Sequence, residues 1–250
     1  MRHFIGQVVR EVIDLVYPGV CCACGSACDG GEFLCHGCGA QLDHLAHESA
    51  CPRCARPVVS TGAPCPWCRG RGLYPFNQIV RLGKFVDPLK NLIHQMKYHR
   101  RWPLAELLAD RLLSEERTKN LLERADVILP VPLHWSRQIG RGYNQAAVMA
   151  EALSRRCKIK LAQPLKRIVN TASQTAAHSP TARRENVKDA FGPAKAKAIV
   201  DRHVVVVDDV MTTAATLQAV GRELKAAKPA SLSAIILAVA DAKHADFELV

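Results

Sequence analysis

The chain has 250 residues, 48% of them hydrophobic, and a formal net charge of +11. That is enough apolar material for one good-sized domain plus a small one, and it excludes a disordered or low-complexity chain. The charge is uneven: residues 1–70 carry five Lys/Arg against six Asp/Glu, leaving twenty-nine against seventeen for the rest, so the basic surface belongs to the larger part.

At the N-terminus, Phe4, Ile5, Val8, Val9, Val12, Ile13 and Val16 fall on one helical face. Arg10, Glu11 and Asp14 interrupt the stretch, so the spacing predicts a packed helix within residues 1–19, not a signal peptide or a membrane span. Eleven cysteines without a secretory signal point to a reducing cytoplasm, where thiols bind metal and do not form disulfides.

Eight of those cysteines repeat one unit, C-x2-C-x10-C-x2-C. It comprises Cys21, Cys24, Cys35 and Cys38, and then Cys51, Cys54, Cys65 and Cys68. Each unit supplies four thiolates, the tetrahedral set of a structural zinc site, and leaves no ligand position open for catalysis. Gly25, Gly37 and Gly39 suit the tight knuckles around such pairs. The sequential repeat predicts two zinc ribbons within residues 20–72. Two zinc ions on eight thiolates would bring the net charge to about +7. Cys22, Cys28 and Cys157 remain outside the pattern.

Pro64, Pro66, Gly70, Gly72 and Pro75 mark the boundary with a domain over 73–250. Residues 77–86 alternate as a strand, and Asp87 is placed to cap a helix through Tyr98, with Leu89, Leu92, Ile93 and Met96 on one face. A second helix is expected from Pro103 to Glu116. Residues 126–131 read as a buried strand running into Pro132, Leu133 and His134. A polar loop, RQIGRGYNQ, follows, and then a helix from Asn144 to Cys157. His134, Arg137 and Arg141 thus gather at the carboxyl end of a strand. Residues 165–191 form a long polar loop, of a length usually functional or mobile in a compact domain.

The segment 203–216, HVVVVDDVMTTAAT, is the most informative. Val204 to Val207 are four β-branched residues in a row, as in a parallel strand covered on both faces. Asp208 and Asp209 then fall at the carboxyl end of that strand, where open α/β sheets bind ligands. Thr212, Thr213, Ala214, Ala215 and Thr216 lead into a helix over 217–227, so backbone N–H groups and hydroxyls converge on one point, a ready phosphate site. Carboxylates followed by a phosphate cradle suit a sugar diol beside a phosphate. A last strand is expected over Ala234 to Val239.

The thirteen positions from Val204 to Thr216 resemble the signature of the type I phosphoribosyltransferases, which bind 5-phosphoribosyl-1-pyrophosphate (PRPP). That pattern prefers Gly where Ala214 stands. With the cysteine ribbons, "KYHRRWPLAELLA" at Lys97, "VPLHWSRQIGRGYNQA" at Val131 and "TASQTAAHSPTARRENVKDAF" at Thr171, nearly the whole chain resembles the ComF family of competence-associated bacterial proteins. The resemblance implies a type I phosphoribosyltransferase-like, open, mostly parallel α/β sheet behind a double zinc ribbon, with a link to DNA uptake or DNA metabolism. It implies PRPP and Mg²⁺ at Asp208, Asp209 and the 212–216 turn, and pyrophosphate at the 132–141 loop, with Leu133, His134, Arg137 and Arg141. It also implies a closing loop offering Arg167, Gln174, Arg183, Arg184 and Asn186. Transfer to an undefined acceptor is one reading. The other is a non-catalytic module that binds PRPP, or holds single-stranded DNA through Arg100, Arg101, Arg155, Arg156, Lys158 and Lys160, beside other competence or DNA-processing proteins.

Overall fold

The computed structural model describes residues 19–28, 32–59, 64–169 and 189–240. The expected N-terminal helix, together with Gln174, Arg183, Arg184 and Asn186, lies outside the described residues. The ribbon part contains a small antiparallel pair, β1 (Gly19–Val20) with β2 (Ala27–Cys28), and helix α1 (His36–His47). The larger part runs β3 (Gln78–Lys84), α2 (Leu89–Tyr98), α3 (Leu104–Ser114), α4 (Glu116–Leu122), β4 (Val127–Pro130), α5 (Trp135–Arg141), α6 (Gln145–Cys157) and β5 (Lys160–Leu161). It ends with a 3₁₀ turn (Ala196–Ala198), β6 (His203–Met211), α7 (Ala215–Ala226) and β7 (Ser231–Val239). The five strands β3–β7 form one parallel sheet in the order β3-β7-β6-β4-β5.

Strand residues alternate between faces, and the core divides accordingly. Val80, Leu82, Ile128, Val205, Val207, Ile235 and Leu237 pack on one face with Leu92, Ile93, Met96, Leu104, Leu108, Met149 and Leu153 of α2, α3 and α6. Ile79, Val127, Leu129, Val204, Val206, Ala234 and Ile236 pack on the other with Leu217, Val220 and Leu224 of α7 and with Phe76, Leu165 and Phe191. The valine run is therefore buried on both sides, as a central strand requires.

Several local expectations are corrected. Asp87 does not cap α2; Pro88 stands at the cap position and no side chain caps the helix. The helix expected over 103–116 breaks at Glu115, whose extended backbone separates α3 from α4. The polar stretch at Arg137 is helical and not a loop: His134 accepts from the Ser136 N–H to start α5, and Gly142, left-handed at φ 84°, ends it. Gly37 and Gly39 lie inside α1. Of the three glycines assigned to knuckles, Gly25 alone adopts a left-handed turn, at φ 77°.

The ribbons pack onto the sheet domain. Cys21, Cys22, Ala23, Cys38, Leu42 and Leu45 share one hydrophobic cluster with Val80, Leu82 and Leu89. Around this contact Lys84 pairs with Glu48 at 2.8 Å, Arg111 pairs with Asp43, and the Arg117 guanidinium donates to the Ala50 carbonyl at 2.9 Å.

A second close approach involves Gly221 of α7. A Cβ there would lie 2.6 Å from Pro75 Cδ and 2.9 Å from Phe76, the segment that joins ribbons to sheet. Gly221→Ala is expected to destabilise the protein by about 1–2 kcal/mol, because overpacking exceeds the helix propensity that alanine adds. Urea unfolding monitored by circular dichroism checks this; a midpoint equal to or above wild type contradicts it.

Candidate functional site

The four cysteine knuckles share one construction. The residue after each second cysteine donates its N–H to the carbonyl of the first: Gly25 to Cys21, Gly39 to Cys35, Ala55 to Cys51 and Arg69 to Cys65, at 2.8–2.9 Å. Ala55 repeats the left-handed turn of Gly25, at φ 59°. The sulfurs of Cys21, Cys24, Cys35 and Cys38 lie within 4.8 Å of one another, and so do those of Cys51, Cys54, Cys65 and Cys68. Cys24–Cys35, Cys51–Cys68 and Cys54–Cys65 are each 3.7 Å apart, and all eight are free thiols. A tetrahedron with Zn–S bonds of about 2.3 Å has S···S edges of about 3.8 Å, so both sets fit zinc. Cys22 stands apart and takes a hydrogen bond from Arg101 at 3.0 Å. Metal analysis of protein purified without added zinc is expected to give two equivalents; one equivalent with all thiols reduced contradicts the paired ribbons.

The larger domain opens a cleft of about 450 Å³ at the carboxyl ends of β3, β4 and β6. It exists because β6 outruns its neighbour. The last β4–β6 pair is Pro130 with Val207, whereas β6 continues alongside β7 to Met211. Asp208 and Asp209 therefore lie within the strand, and its β4-facing edge is free where they stand.

The pleat sends these adjacent acids to opposite faces. Asp209 follows Val205 and Val207 towards α2, where Lys97 pairs with it at 3.0 Å. Asp208 follows Val204 and Val206 towards the Arg167 side. Burial and the charge of Asp209 push Asp208 up to about 7, against the pull of the Asp209 N–H at 2.9 Å, Lys97 and Arg167. Burial, then the like charge of Arg137, brings Arg167 down to about 10, with Asp208 opposing.

The 212–216 turn is strained at one residue. Ala214 is left-handed, at φ 64°, which is why glycine is favoured there, and it starts α7 at Ala215. Thr212 and Thr216 line the cleft, while the Thr213 hydroxyl is buried with no partner among the described residues. A buried orphan hydroxyl fits a turn shaped for an anion.

The opposite wall is formed by Leu133, Arg137, Arg141, Asn144 and Gln145. Asn144 pins it, donating to the Val131 carbonyl at 3.0 Å and accepting from Ala146 N–H at 3.1 Å. Tyr143 donates to the Met96 carbonyl, and the Arg141 guanidinium lies 5.6 Å from the Tyr98 ring centroid. His134 is buried and its Nδ1 engages Ser136 at 2.8 Å; it is not part of the cleft lining.

The structure thus gathers Asp208, Asp209, Thr212, Thr216, Leu133, Arg137, Arg141 and Arg167 in one cleft. Ala214 and Ala215 shape the turn from beneath, buried. Arg183 lies outside the described residues. Lys97, Asn144 and Gln145 escape a reading of the sequence; Lys97 stands at the head of the KYHRRWPLAELLA stretch, but its pairing with Asp209 depends on the packing of α2. Of the surface cations assigned to DNA, Arg155 pairs with Glu106, and Arg156 with both Glu106 and Asp110, so their charge is largely offset.

Family comparisons match residues 12–69 to the double zinc ribbon domain and residues 143–248 to the phosphoribosyl transferase domain. DNA utilization protein YhgH of Escherichia coli O157:H7 is 33% identical over 218 residues, covering 84% of this chain and 92% of that protein. Competence protein F of Haemophilus influenzae is 32% identical over 222 residues, covering 86% and 88%. Among solved structures, purine phosphoribosyltransferase from Pyrococcus horikoshii is 17% identical, covers 58% of this chain and 93% of that one, and gives a TM-score of 0.35. Fold and site define a protein with a phosphoribosyltransferase-type sheet and a double zinc ribbon. The chain belongs to the ComF/YhgH family. No helix among the described residues is long and apolar enough to cross a membrane.

The raised Asp208 carboxyl makes stability depend on pH. The native state holds this proton up to about pH 7, whereas the unfolded chain releases it near the ordinary value of 3.8. Ionised Asp208 therefore costs stability, increasingly as pH climbs from about 4 through 7. Asp208→Asn is expected to gain on wild type by on the order of a few kcal/mol between pH 5 and pH 8. Parallel denaturation curves at the two pH values test it, and a constant difference contradicts it.

Proposed function

We propose that the cleft binds PRPP with Mg²⁺ and that the protein is a phosphoribosyltransferase, or a PRPP-binding protein derived from one, serving DNA uptake or DNA metabolism. One observation carries the reading. The two acids at the end of β6, Thr212 and Thr216 of the strained turn, and the cations Lys97, Arg137, Arg141 and Arg167 all line the same space. A ligand with a ribose diol, a 5′-phosphate and a pyrophosphate has complementary groups in that arrangement.

In this reading Asp208 and Asp209 accept hydrogen bonds from the ribose hydroxyls. Thr212, Thr213 and Thr216, with the backbone N–H groups of the turn, hold the 5′-phosphate at the start of α7. Leu133, Arg137 and Arg141 face the pyrophosphate. Asp208 and Asp209 offer the carboxylate oxygens that would hold Mg²⁺ with the ligand, and the ion would supply charge neutralisation to the leaving group. As the bond from the sugar carbon to pyrophosphate breaks, negative charge grows on the departing oxygen, and the guanidinium groups already stand on that side. Lys97, paired with Asp209 at 3.0 Å, stands as a fourth cation lining the cleft. The names of the curated relatives support a DNA-linked role.

The second reading, a module that holds single-stranded DNA, is supported by the basic excess of residues 71–250. Arg155 and Arg156 contribute little to it because their partners lie within the protein.

A thermal-shift series separates these readings. With Mg²⁺ and PRPP at a hundredfold excess over the dissociation constant, stability is expected to rise by about 2.7 kcal/mol. Asp208→Asn with Asp209→Asn is expected to abolish the shift, while Thr213→Val weakens it. A shift fully retained in the double variant overturns the assignment. A shift given by short single-stranded DNA that disappears with rising salt, without any response to PRPP, favours the second reading.

A further inference from the structure

The second ribbon touches the phosphate turn directly. Arg56 Nη2 donates to the backbone carbonyl of Thr212 at 2.6 Å, across 156 positions of sequence. Its guanidinium lies 4.9 Å from the ring centroid of Trp67. The origins of these two residues are what matter. Arg56 closes the Cys51–Cys54 knuckle, its carbonyl accepting from the Cys51 N–H at 2.9 Å. Trp67 sits between Cys65 and Cys68 in the other knuckle of the same cluster. The donor and the ring it rests on are therefore held together by the four sulfurs of the second ribbon. Beside them, Ala55 is buried in the same apolar cluster as Met211, Ala214 and Ala215.

The bond acts on a peptide plane. A trans peptide points its carbonyl and the following N–H in opposite directions. Fixing the Thr212 carbonyl towards Arg56 therefore fixes the Thr213 N–H away from the ribbon, on the side of the turn. A guanidinium suits such a contact because it stays charged, forms a short charge-assisted bond, and stacks on an aromatic face at the same time.

We infer that Arg56, held by both knuckles of the second zinc ribbon, is a positioning residue that props the Thr212–Thr213 peptide of the phosphate turn, so that this ribbon sets the geometry of anion binding without touching the ligand. The statement about the ligand rests on the PRPP reading above; the statement about the peptide does not.

The experiment uses the zinc-loaded full chain and compares wild type with Arg56→Ala, Arg56→Lys and Trp67→Ala. Zinc content, amide exchange across residues 210–216 without ligand, and the Kd for PRPP with Mg²⁺ are measured on each. Arg56→Ala is expected to keep two zinc ions, speed exchange in the turn and weaken PRPP about tenfold, the scale of one charge-assisted hydrogen bond. Arg56→Lys should recover part of both losses, and Trp67→Ala should lose part. Wild-type exchange in zinc-replete Arg56→Ala overturns the prop. Faster exchange with an unchanged Kd overturns its role in ligand positioning. If wild type binds no PRPP, the proposed function fails while the exchange data still decide the prop. If Arg56→Ala loses zinc, Arg56→Lys, which keeps charge and stem but not the planar fork, carries the same comparison.

Discussion

The site depends on a mismatch in strand length. β4 stops pairing at Pro130, while β6 runs on to Met211 with β7 still beside it. The unpaired edge leaves room for a cleft, and the surviving pleat controls what enters it. Two adjacent aspartates would ordinarily repel each other on one surface. Here the strand period turns Asp209 towards Lys97 on α2, which pairs with it, and Asp208 towards the Arg167 side, where burial and the charge of Asp209 keep its carboxyl protonated to about pH 7. Had the chain left the sheet at Val207, neither direction would be fixed.

The ribbons extend this arrangement. α1 covers the outer strand β3, with Leu45 3.1 Å from where a Gly83 Cβ would stand. Glu48 reaches Lys84, and Arg81 beside it is buried. The nearest carboxylate oxygen, on Glu48, stands 3.8 Å away, beyond hydrogen-bond reach, and burial lowers the Arg81 guanidinium from its ordinary value. The apolar cluster is continuous from Cys21 to Leu237, so metal binding and core packing stabilise one body.

Much of this was legible in the sequence. Four consecutive valines announced a strand buried on both faces, and the repeated cysteine spacing announced two four-thiolate sets. The preference for glycine at position 214 follows from its left-handed backbone. α5 was not legible, because Gly140 and Gly142 suggested a loop; His134 and Gly142 cap it from either end. Lys97 and Arg56 could not have been assigned to the site, since their partners lie more than a hundred positions away and are reached through packing alone. Arg155 and Arg156 likewise read as free surface charge until packing places α6 against α3, although their partners lie within 50 positions.

The strand order has a consequence for how the chain is made. β7, the last strand among the described residues, lies between β3 and β6, so among them β3 has no strand partner until β7 is made. That interval is roughly 150 residues, or on the order of ten to thirty seconds at ordinary rates of synthesis. An unpaired strand of Ile79, Val80 and Leu82 invites contact with other nascent chains. The ribbons, already emerged, offer α1 as the cover for one face of it that the folded structure keeps.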